Sequence, residues 1–209
     1  MTDIRRLIYI HDPMCSWCWG FAPTLTMLQQ QLPAYLGFVR LLGGLAPDSD
    51  QPMSTQMQLQ LQDTWRRIQQ RIPGTRFNFD FWKECRPRRS TWPACRAVIV
   101  ARQADPVLEQ PMIEAIQHAY YLDARNPSDT ATLASLAADL GLDATEFSEQ
   151  LHAAETRRLL EQEIRESRQI GADSFPSLRL QLGDRYRSIP VDYLNSPPML
   201  EAIHSLLDD

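Results

Sequence analysis

Apolar and β-branched residues fill a short run at 6–11, with the sequence RLIYIH, which is followed by Asp12-Pro13. A run of this length before a turn-forming pair predicts a buried strand. From residue 16 to about residue 32, apolar residues recur at helical spacing, and residues 38–42 (FVRLL) form a second apolar run before two glycines. The N-terminal part of the chain therefore predicts a strand–helix–strand unit whose two strands are buried and parallel.

The pattern changes after residue 47, because the next hundred or so residues show helical periodicity and no strand signal. The predicted helices cover residues 53–72, 92–103, 106–122, 130–140 and 144–153. Ser128-Asp129 and Asp143 stand where helix N-caps belong, and Gly141 stands where a C-terminal cap belongs. The middle of the chain is therefore predicted to be entirely helical.

The C-terminal part returns to mixed signals. The pattern predicts a long helix at 155–170, strands at 177–182 and 186–189 joined at Gly183-Asp184, and a last helix at 199–207. We expect an α/β fold with one mixed sheet built from both ends of the chain. The expected domains are residues 1–47 with 155–209, and an inserted helical domain at 48–154.

Two cysteines follow the first predicted strand directly, in the segment DPMCSWCWGF. Cys15 falls at the N-terminus of the next helix, where unpaired N–H groups and the helix dipole stabilise an anion and lower a thiol pKa below about 8.5. Cys18 comes one turn later, between Trp17 and Trp19, and should be less exposed. This arrangement predicts a reactive thiolate at Cys15 and a resolving thiol at Cys18.

Other interpretations of the cysteine pair stay open at this point. Four cysteines in 209 residues are too few for a disulfide-stapled secreted scaffold, and in a reducing compartment a CxxC pair indicates metal binding or redox chemistry. Cys85 and Cys95 could complete a four-thiolate zinc site in a zinc-stabilised binding module, although their spacing is unusual for one. An inert structural disulfide and a pair of buried apolar cysteines are the remaining alternatives.

Charge is distributed unevenly along the chain. Residues 65–102 carry ten basic and two acidic side chains, whereas the net charge of the whole chain is −5. The acidic remainder would repel a polyanion, so we expect no nucleic-acid partner, and a solvated basic helix face is the favoured interpretation. Since no run approaches the roughly 20 apolar residues of a membrane span, we expect no membrane association and a cytoplasmic protein.

The order of these elements resembles the DsbA-like thiol:disulfide oxidoreductases, which have a thioredoxin-like fold with a large all-helical insertion. The motifs that carry the resemblance are DPMCSWCWGF, PRRSTWPACRA at 87–97 and SFPSLRL at 174–180, and they are most similar to the unexported, cytosolic branch. The resemblance implies that Cys15 is the nucleophile, Cys18 the resolving thiol and Pro176 a cis-proline. It also implies that the backbone of Phe175 can pair with a substrate strand.

The substrates implied by this resemblance are protein or low-molecular-weight thiols and disulfides, with no resident cofactor. Met14, Trp17, Trp19 and Phe175 are predicted to be exposed and to form an apolar rim for such a partner. Ser16-Trp17 departs from the Pro-His dipeptide of strongly oxidising periplasmic members, so a milder reduction potential is expected. The direction of electron flow stays open.

Related families suggest an alternative activity. Kappa-class glutathione transferases and 2-hydroxychromene-2-carboxylate isomerases resemble this architecture but generally carry a serine in place of the first cysteine. The dithiol favours electron exchange, while glutathione remains a possible redox partner whose carboxylates Arg88 or Arg89 could receive. Cys95 is expected to be a small buried thiol, and His11 a packed or solvated histidine rather than one that tunes Cys15.

Overall fold

The computed structural model describes residues 4–208 of the chain, in two compact units. One unit comprises residues 1–43 with 163–209, and the other comprises residues 44–162. Residues 1–3 and 209, which fall within the segments predicted as the thioredoxin-like domain, lie outside the described residues.

The first unit is organised around a four-stranded mixed sheet. Its strands are β1 (Arg5–His11), β2 (Gly37–Leu42), β3 (Ser177–Leu182) and β4 (Arg185–Ile189), in the order β2-β1-β3-β4. β1 pairs in parallel with β2 and antiparallel with β3, which in turn forms an antiparallel hairpin with β4. The predicted mixed sheet, built from both ends of the chain, is confirmed. Because Ile10 pairs with Ser177, the start of β3 lies beside the end of β1.

Both faces of the central strand β1 are buried, as expected of an inner strand covered on two sides. On one face, Leu7 and Tyr9 pack in a cluster with residues of α1 (Ser16–Gln31) and of the C-terminal helix at 197–208. On the other face, Ile8 and Ile10 pack against a smaller apolar cluster. The alternation of side chains along β1 thus divides the core of this unit into two layers.

The second unit is helical. In chain order its helices are α2 (Thr55–Arg71), α3 (Phe81–Glu84), α4 (Trp92–Ala104), a 3-10 turn (Pro106–Leu108), α5 (Glu109–Tyr121), α6 (Thr130–Asp139), α7 (Ala144–His152) and the start of α8 (Ala154–Gln169), and α9 (Pro197–Asp208) completes the first unit. The predicted helix at 106–122 begins instead with the 3-10 turn, because the Asp105 carboxylate accepts the N–H of Val107. The four-residue α3 was not predicted, since it is too short to show periodicity. No helix within residues 4–208 is long and apolar enough to cross a membrane.

Aromatic side chains form much of the core of this helical unit. Trp65 is fully buried, and its ring stacks on that of Phe77 with centroids 4.8 Å apart. The other rings around Trp65 are Phe79, Phe81, Trp82, Tyr120 and Tyr121.

The basic residues of the helical unit are partly internal, so the predicted solvated basic face is wrong for some of them. Arg96 is 5% exposed, because its guanidinium donates to both carboxylate oxygens of Asp48 and to the carbonyl of Leu151. Arg88 donates to the carboxylate of Asp129 over 2.6 Å. These pairs place anions from elsewhere in the unit against the basic segment.

Asp129 and Asp143, predicted as helix N-caps of the insertion, differ in the hydrogen bonds that their side chains make. The Asp143 side chain accepts from the N–H groups of Thr145 and Glu146, as expected of a cap of α7. Asp129 stands at the N-cap of α6 without a capping hydrogen bond from its side chain. Its carboxylate is engaged by Arg88 instead.

Candidate active site

Cys15 occupies the N-cap of α1, between the end of β1 and the first helical turn. Its N–H donates to the carbonyl of Asp12 over 2.9 Å, and its own carbonyl accepts the N–H of Trp19 over 3.0 Å. The first turn of α1 contains no acidic residue. The Cys15 sulfur therefore lies where unpaired helix N–H groups and the positive end of the dipole stabilise a thiolate.

The surroundings of Cys15 favour its ionised form. A hydrogen bond from the Cys18 side chain is the largest effect and lowers the pKa of Cys15, assisted by the N–H groups of Cys18 and Trp17. Burial and the negative charge of Asp12 oppose this shift but do not reverse it. The Cys15 sulfur also lies 3.6 Å from the carbonyl oxygen of Phe175, which accepts from the thiol when it is protonated.

Cys18 has the opposite tendency. It is fully buried, compared with 6% exposure for Cys15, and burial raises its pKa well above the ordinary value. The neighbouring Cys15 raises the pKa of Cys18 further, whereas hydrogen bonds from the Asp12 backbone and the Tyr9 side chain lower it. The pair therefore consists of one sulfur disposed to ionise and one disposed to keep its proton. No disulfide joins these cysteines or any others in the described part of the chain.

Phe175 and Pro176 lie beside the dithiol because β3 pairs with β1. The Phe175–Pro176 peptide bond is cis, and Pro176 immediately precedes β3. The Phe175 ring packs against the apolar cluster around Ile8 and Ile10. The loop is held by Ser177, whose hydroxyl donates to the carbonyl of Ser174 over 2.7 Å.

The residues predicted to form an exposed apolar rim are less exposed than expected. Met14 is only 7% exposed, so its predicted exposure is wrong. The physical reason is a tight turn, in which the Asp12 carboxylate accepts the Met14 N–H over 2.8 Å and draws the residue inward. Trp17, Trp19 and Phe175 are half-buried. The Trp17 ring packs on Tyr193 with centroids 5.2 Å apart.

The remaining cysteines lie in the helical unit. Cys95 is fully buried in α4. The half-buried Cys85 donates from its thiol to the carbonyl of Ala124 over 3.0 Å, and burial raises its pKa. Within residues 4–208, no three His, Cys, Asp or Glu side chains are grouped as a metal site would require.

The two candidate arginines for a carboxylate ligand differ in their local contacts. Arg88 already donates to Asp129 and to the carbonyl of Ser128. Arg89 is half-buried. Charge reversal at Arg88 would break internal hydrogen bonds as well as any ligand contact, so it is a poor test of glutathione binding.

Three residues of the site were not identified from the sequence, namely Tyr9, Asp12 and Gly43. Tyr9 and His11 lie on the same face of β1, with their rings stacked 4.9 Å apart, and strand alternation could have placed both. Asp12 was assigned only to a turn, although a carboxylate three residues before a candidate thiolate is a signal of electrostatic influence. Gly43 follows β2, and the sequence alone does not reveal which side chain packs against it.

Comparison with known proteins gives a matching family model and several similar structures. The sequence model described as the DSBA-like thioredoxin domain matches residues 7–184. A proposed protein disulfide isomerase from Nitrosomonas europaea superposes with a TM-score of 0.84 and 28% identity over 98% of each chain. The cytosolic disulfide reductase DsbM from Pseudomonas aeruginosa superposes with a TM-score of 0.74 and 25% identity over 97% of each chain. A structure of DsbM with GSH gives a TM-score of 0.71 and 26% identity, also over 97% of each chain.

A curated relative is longer than this chain. The ClpXP adapter protein SpxH from Halalkalibacterium halodurans is 24% identical over 170 residues, which are 79% of this chain. The match spans 55% of that protein, so the chain corresponds to about half the length of this relative.

Proposed function

The chain belongs to the family of DSBA-like thioredoxin domains, and on this basis we propose that its Cys15–Cys18 dithiol exchanges disulfides with protein or low-molecular-weight thiols. The observation that carries the proposal is the placement of the two sulfurs: Cys15 lies at the N-cap of α1 and Cys18 is fully buried one turn later. These surroundings lower the pKa of Cys15 and raise that of Cys18. A disulfide-exchanging dithiol needs this division, because one sulfur must attack as a thiolate while the other waits protonated.

In the reducing direction, the Cys15 thiolate attacks one sulfur of a substrate disulfide. The S–S bond breaks, the first substrate sulfur leaves as a thiolate with the electron pair of that bond, and a mixed disulfide joins Cys15 to the remaining substrate half. Cys18 then attacks the Cys15 sulfur, the bond between Cys15 and the substrate breaks, and the proton of Cys18 is transferred to the departing substrate sulfur, which ends as a thiol. The substrate disulfide gains two electrons, which the Cys15–Cys18 pair loses as it becomes a disulfide. The oxidising direction reverses these steps.

The loop at Phe175 and Pro176 supports a role in substrate binding. Its Phe175 carbonyl lies within 3.6 Å of the Cys15 sulfur, so an extended substrate segment pairing with this backbone would bring its disulfide to the nucleophile. Trp17, Trp19 and Phe175 retain partial exposure and can offer apolar contacts to such a segment. We propose no resident cofactor, since thiols supply and accept the electrons.

Glutathione is the redox partner that the comparisons favour, because DsbM, 25% identical to this chain, is described as a cytosolic disulfide reductase and was also solved with GSH. We therefore propose that reduced glutathione regenerates the dithiol and that the protein acts in the cytoplasm. Equilibration of the Cys15–Cys18 pair with glutathione buffers tests the direction. A reduction potential near that of thioredoxin supports a reductase, whereas a value above that of the glutathione pool contradicts it.

Reduction of insulin by the purified protein, with glutathione as electron donor, tests the exchange reaction. Cys15→Ser should abolish turnover, and Cys18→Ser should accumulate a mixed disulfide at Cys15 that mass spectrometry detects. Cys85→Ser is the matched control and should leave turnover unchanged. Full activity in Cys15→Ser, or no mixed disulfide at Cys15 in Cys18→Ser, would contradict the assignment.

A further inference from the structure

A cavity of about 570 Å³ lies in the helical unit, between α2 and residues 79–83. Its volume is within the range of about 300–1,000 Å³ that is typical of small-molecule sites. The cavity is lined by two amides, two cations and two aromatic rings, which belong to Gln62, Arg66, Gln69, Phe79, Trp82 and Lys83. None of these residues has a part in the thiol exchange proposed above, so the cavity is a separate candidate site.

Phe79 and Trp82 form the aromatic wall of the cavity. Both rings contact the buried ring of Trp65, with centroids 5.5 Å and 4.8 Å from it. The backbone N–H of Trp82 donates to the carbonyl of Phe79 over 3.2 Å, so a single turn presents both side chains. Because both are half-buried and rest on the core, the wall is held in place and suits a planar aromatic ligand.

Arg66 and Lys83 give the cavity its positive charge. The Arg66 guanidinium lies over the Phe79 ring, 5.4 Å from its centroid, and therefore stands beside the aromatic wall. Arg66 pairs with Asp63, three residues earlier in the chain, over 2.6 Å. Lys83 pairs in the same way with Asp80 over 2.8 Å. Since exposed ion pairs of this kind contribute little to stability, both cations can turn to a ligand at small cost.

The charge of the surrounding chain favours an anionic ligand. Residues 62–83 carry five basic and two acidic side chains, and most of them belong to the basic segment at 65–102. A carboxylate, with a single charge, suits the cavity better than a doubly charged phosphate. The reason is that the carboxylates of Asp63 and Asp80 stay close to the two cations and repel additional negative charge.

We propose that this cavity binds a small aromatic carboxylate. The ring of the ligand lies against Phe79 and Trp82, and its carboxylate accepts hydrogen bonds from Arg66 and Lys83. The two glutamine amides, which are on the same face of α2 as Arg66, bond polar substituents of the ring. This inference goes beyond the proposed dithiol exchange and does not depend on it.

Isothermal titration calorimetry of the full chain with 2-naphthoate tests the site. Two other compounds separate the contributions of ring and charge: 2-naphthylmethanol has the same ring without the charge, and acetate has the charge without the ring. 2-Naphthoate should bind saturably, and at least about tenfold more tightly than either of them, because only 2-naphthoate engages both the wall and the cations.

Arg66→Gln should weaken 2-naphthoate binding by about fivefold to tenfold, between the effects of losing an exposed ion pair and a hydrogen bond to a charged group. Arg67→Gln is the matched control, because Arg67 is also exposed on α2 and donates to Thr64, but does not line the cavity. It removes the same charge and should weaken 2-naphthoate binding by less than about twofold, since salt screens a charge outside the site. Phe79→Leu should weaken binding of both naphthyl compounds, and thermal unfolding shows whether each variant is folded.

Three results would overturn the proposed site: equal affinity for 2-naphthoate and 2-naphthylmethanol, equal weakening by Arg66→Gln and Arg67→Gln, or no saturable binding to the wild type. Arg66→Gln stands at an exposed position, so it tests the site even if Phe79→Leu does not fold. Failure of the wild type to reduce insulin would contradict the proposed function without changing any of these outcomes.

Discussion

Gly43 lies directly against the ring of Phe175, and the structure leaves no room for a side chain between them. A Cβ atom on Gly43 would overlap ring carbons of Phe175. The Gly43 N–H donates to the carbonyl of His11 over 2.7 Å, which ties this glycine to the end of β1. Because the Phe175 carbonyl faces the Cys15 sulfur, the glycine after β2 helps to fix the loop beside Cys15.

We predict that Gly43→Ala impairs catalysis more than stability. The added methyl must displace the Phe175 ring and shift its loop relative to Cys15. A displacement of this kind should lower kcat/KM for disulfide reduction by about tenfold to hundredfold. Overpacking should lower the free energy of unfolding by about 1–3 kcal/mol, which urea denaturation measures.

A double-mutant cycle with Phe175→Ala separates this contact from general damage. If the clash with the ring is the cause, Gly43→Ala should have little further effect on either measurement once Phe175 is alanine. Equal effects of Gly43→Ala in both backgrounds would contradict the explanation.

Asp12→Asn should make Cys15 ionise at lower pH. The Asp12 charge raises the pKa of Cys15, whereas the side-chain oxygen that accepts from the Met14 N–H is retained by asparagine. Removing the charge therefore lowers the pKa of Cys15 while preserving the turn. The pH dependence of iodoacetamide alkylation at Cys15, followed by mass spectrometry, should move to lower pH. A shift to higher pH, or none, would show that Asp12 does not act through its charge.

Cys18→Ala should have the opposite effect on the same measurement. The Cys18 side chain is the largest influence that lowers the pKa of Cys15, and alanine cannot donate a hydrogen bond. The alkylation profile of Cys15 should move to higher pH, although Cys15 still reacts. Cys95→Ala changes a buried thiol of the helical unit and serves as the control, for which the profile should not move.

The elements that carry strong local signals could be predicted from the sequence. β1 and β3 have short apolar or alternating patterns between turn residues, and the CxxC segment stands at a strand-to-helix junction that limits its possible chemistry. The mixed sheet follows once both ends of the chain are assigned to it. The strands and the CxxC junction can be predicted because each signal lies in residues that are neighbours in sequence.

The contacts that tune the site could not be predicted, because they join residues distant in sequence. Gly43 contacts Phe175 because β2 and β3 both lie beside β1 in the sheet. The sequence of a turn glycine does not indicate whether a ring packs on it. The burial of Met14 results from a side-chain hydrogen bond of Asp12 within a turn whose geometry the sequence leaves open. The sequence therefore gives little basis for predicting that an apolar residue beside such a thiol is exposed.

Arg96 shows the same limitation in the helical unit. Ten basic residues within 65–102 favoured a solvated face, yet Arg96 is buried and bound to Asp48. Asp48 also accepts from the more exposed Arg157 over 2.7 Å. Partial burial alone would raise the pKa of Asp48, but the hydrogen bonds and charges of Arg96 and Arg157 lower it overall.

Asp48→Asn should destabilise the protein because it leaves the buried Arg96 charge without its anion. We expect a loss of about 1.5–3 kcal/mol in the free energy of unfolding at neutral pH, the range for hydrogen bonds to charged groups. Since the folded-state pKa of Asp48 is depressed, its stabilisation is present above the unfolded value of about 3.9 and is lost as pH falls through the folded value. The difference between wild type and Asp48→Asn in urea denaturation should therefore shrink in acid.

Asp63→Asn removes an exposed partner of Arg66 and is the control, with an expected change below about 1 kcal/mol. Equal losses in the two variants would mean that burial of Arg96 does not determine the strength of its pair.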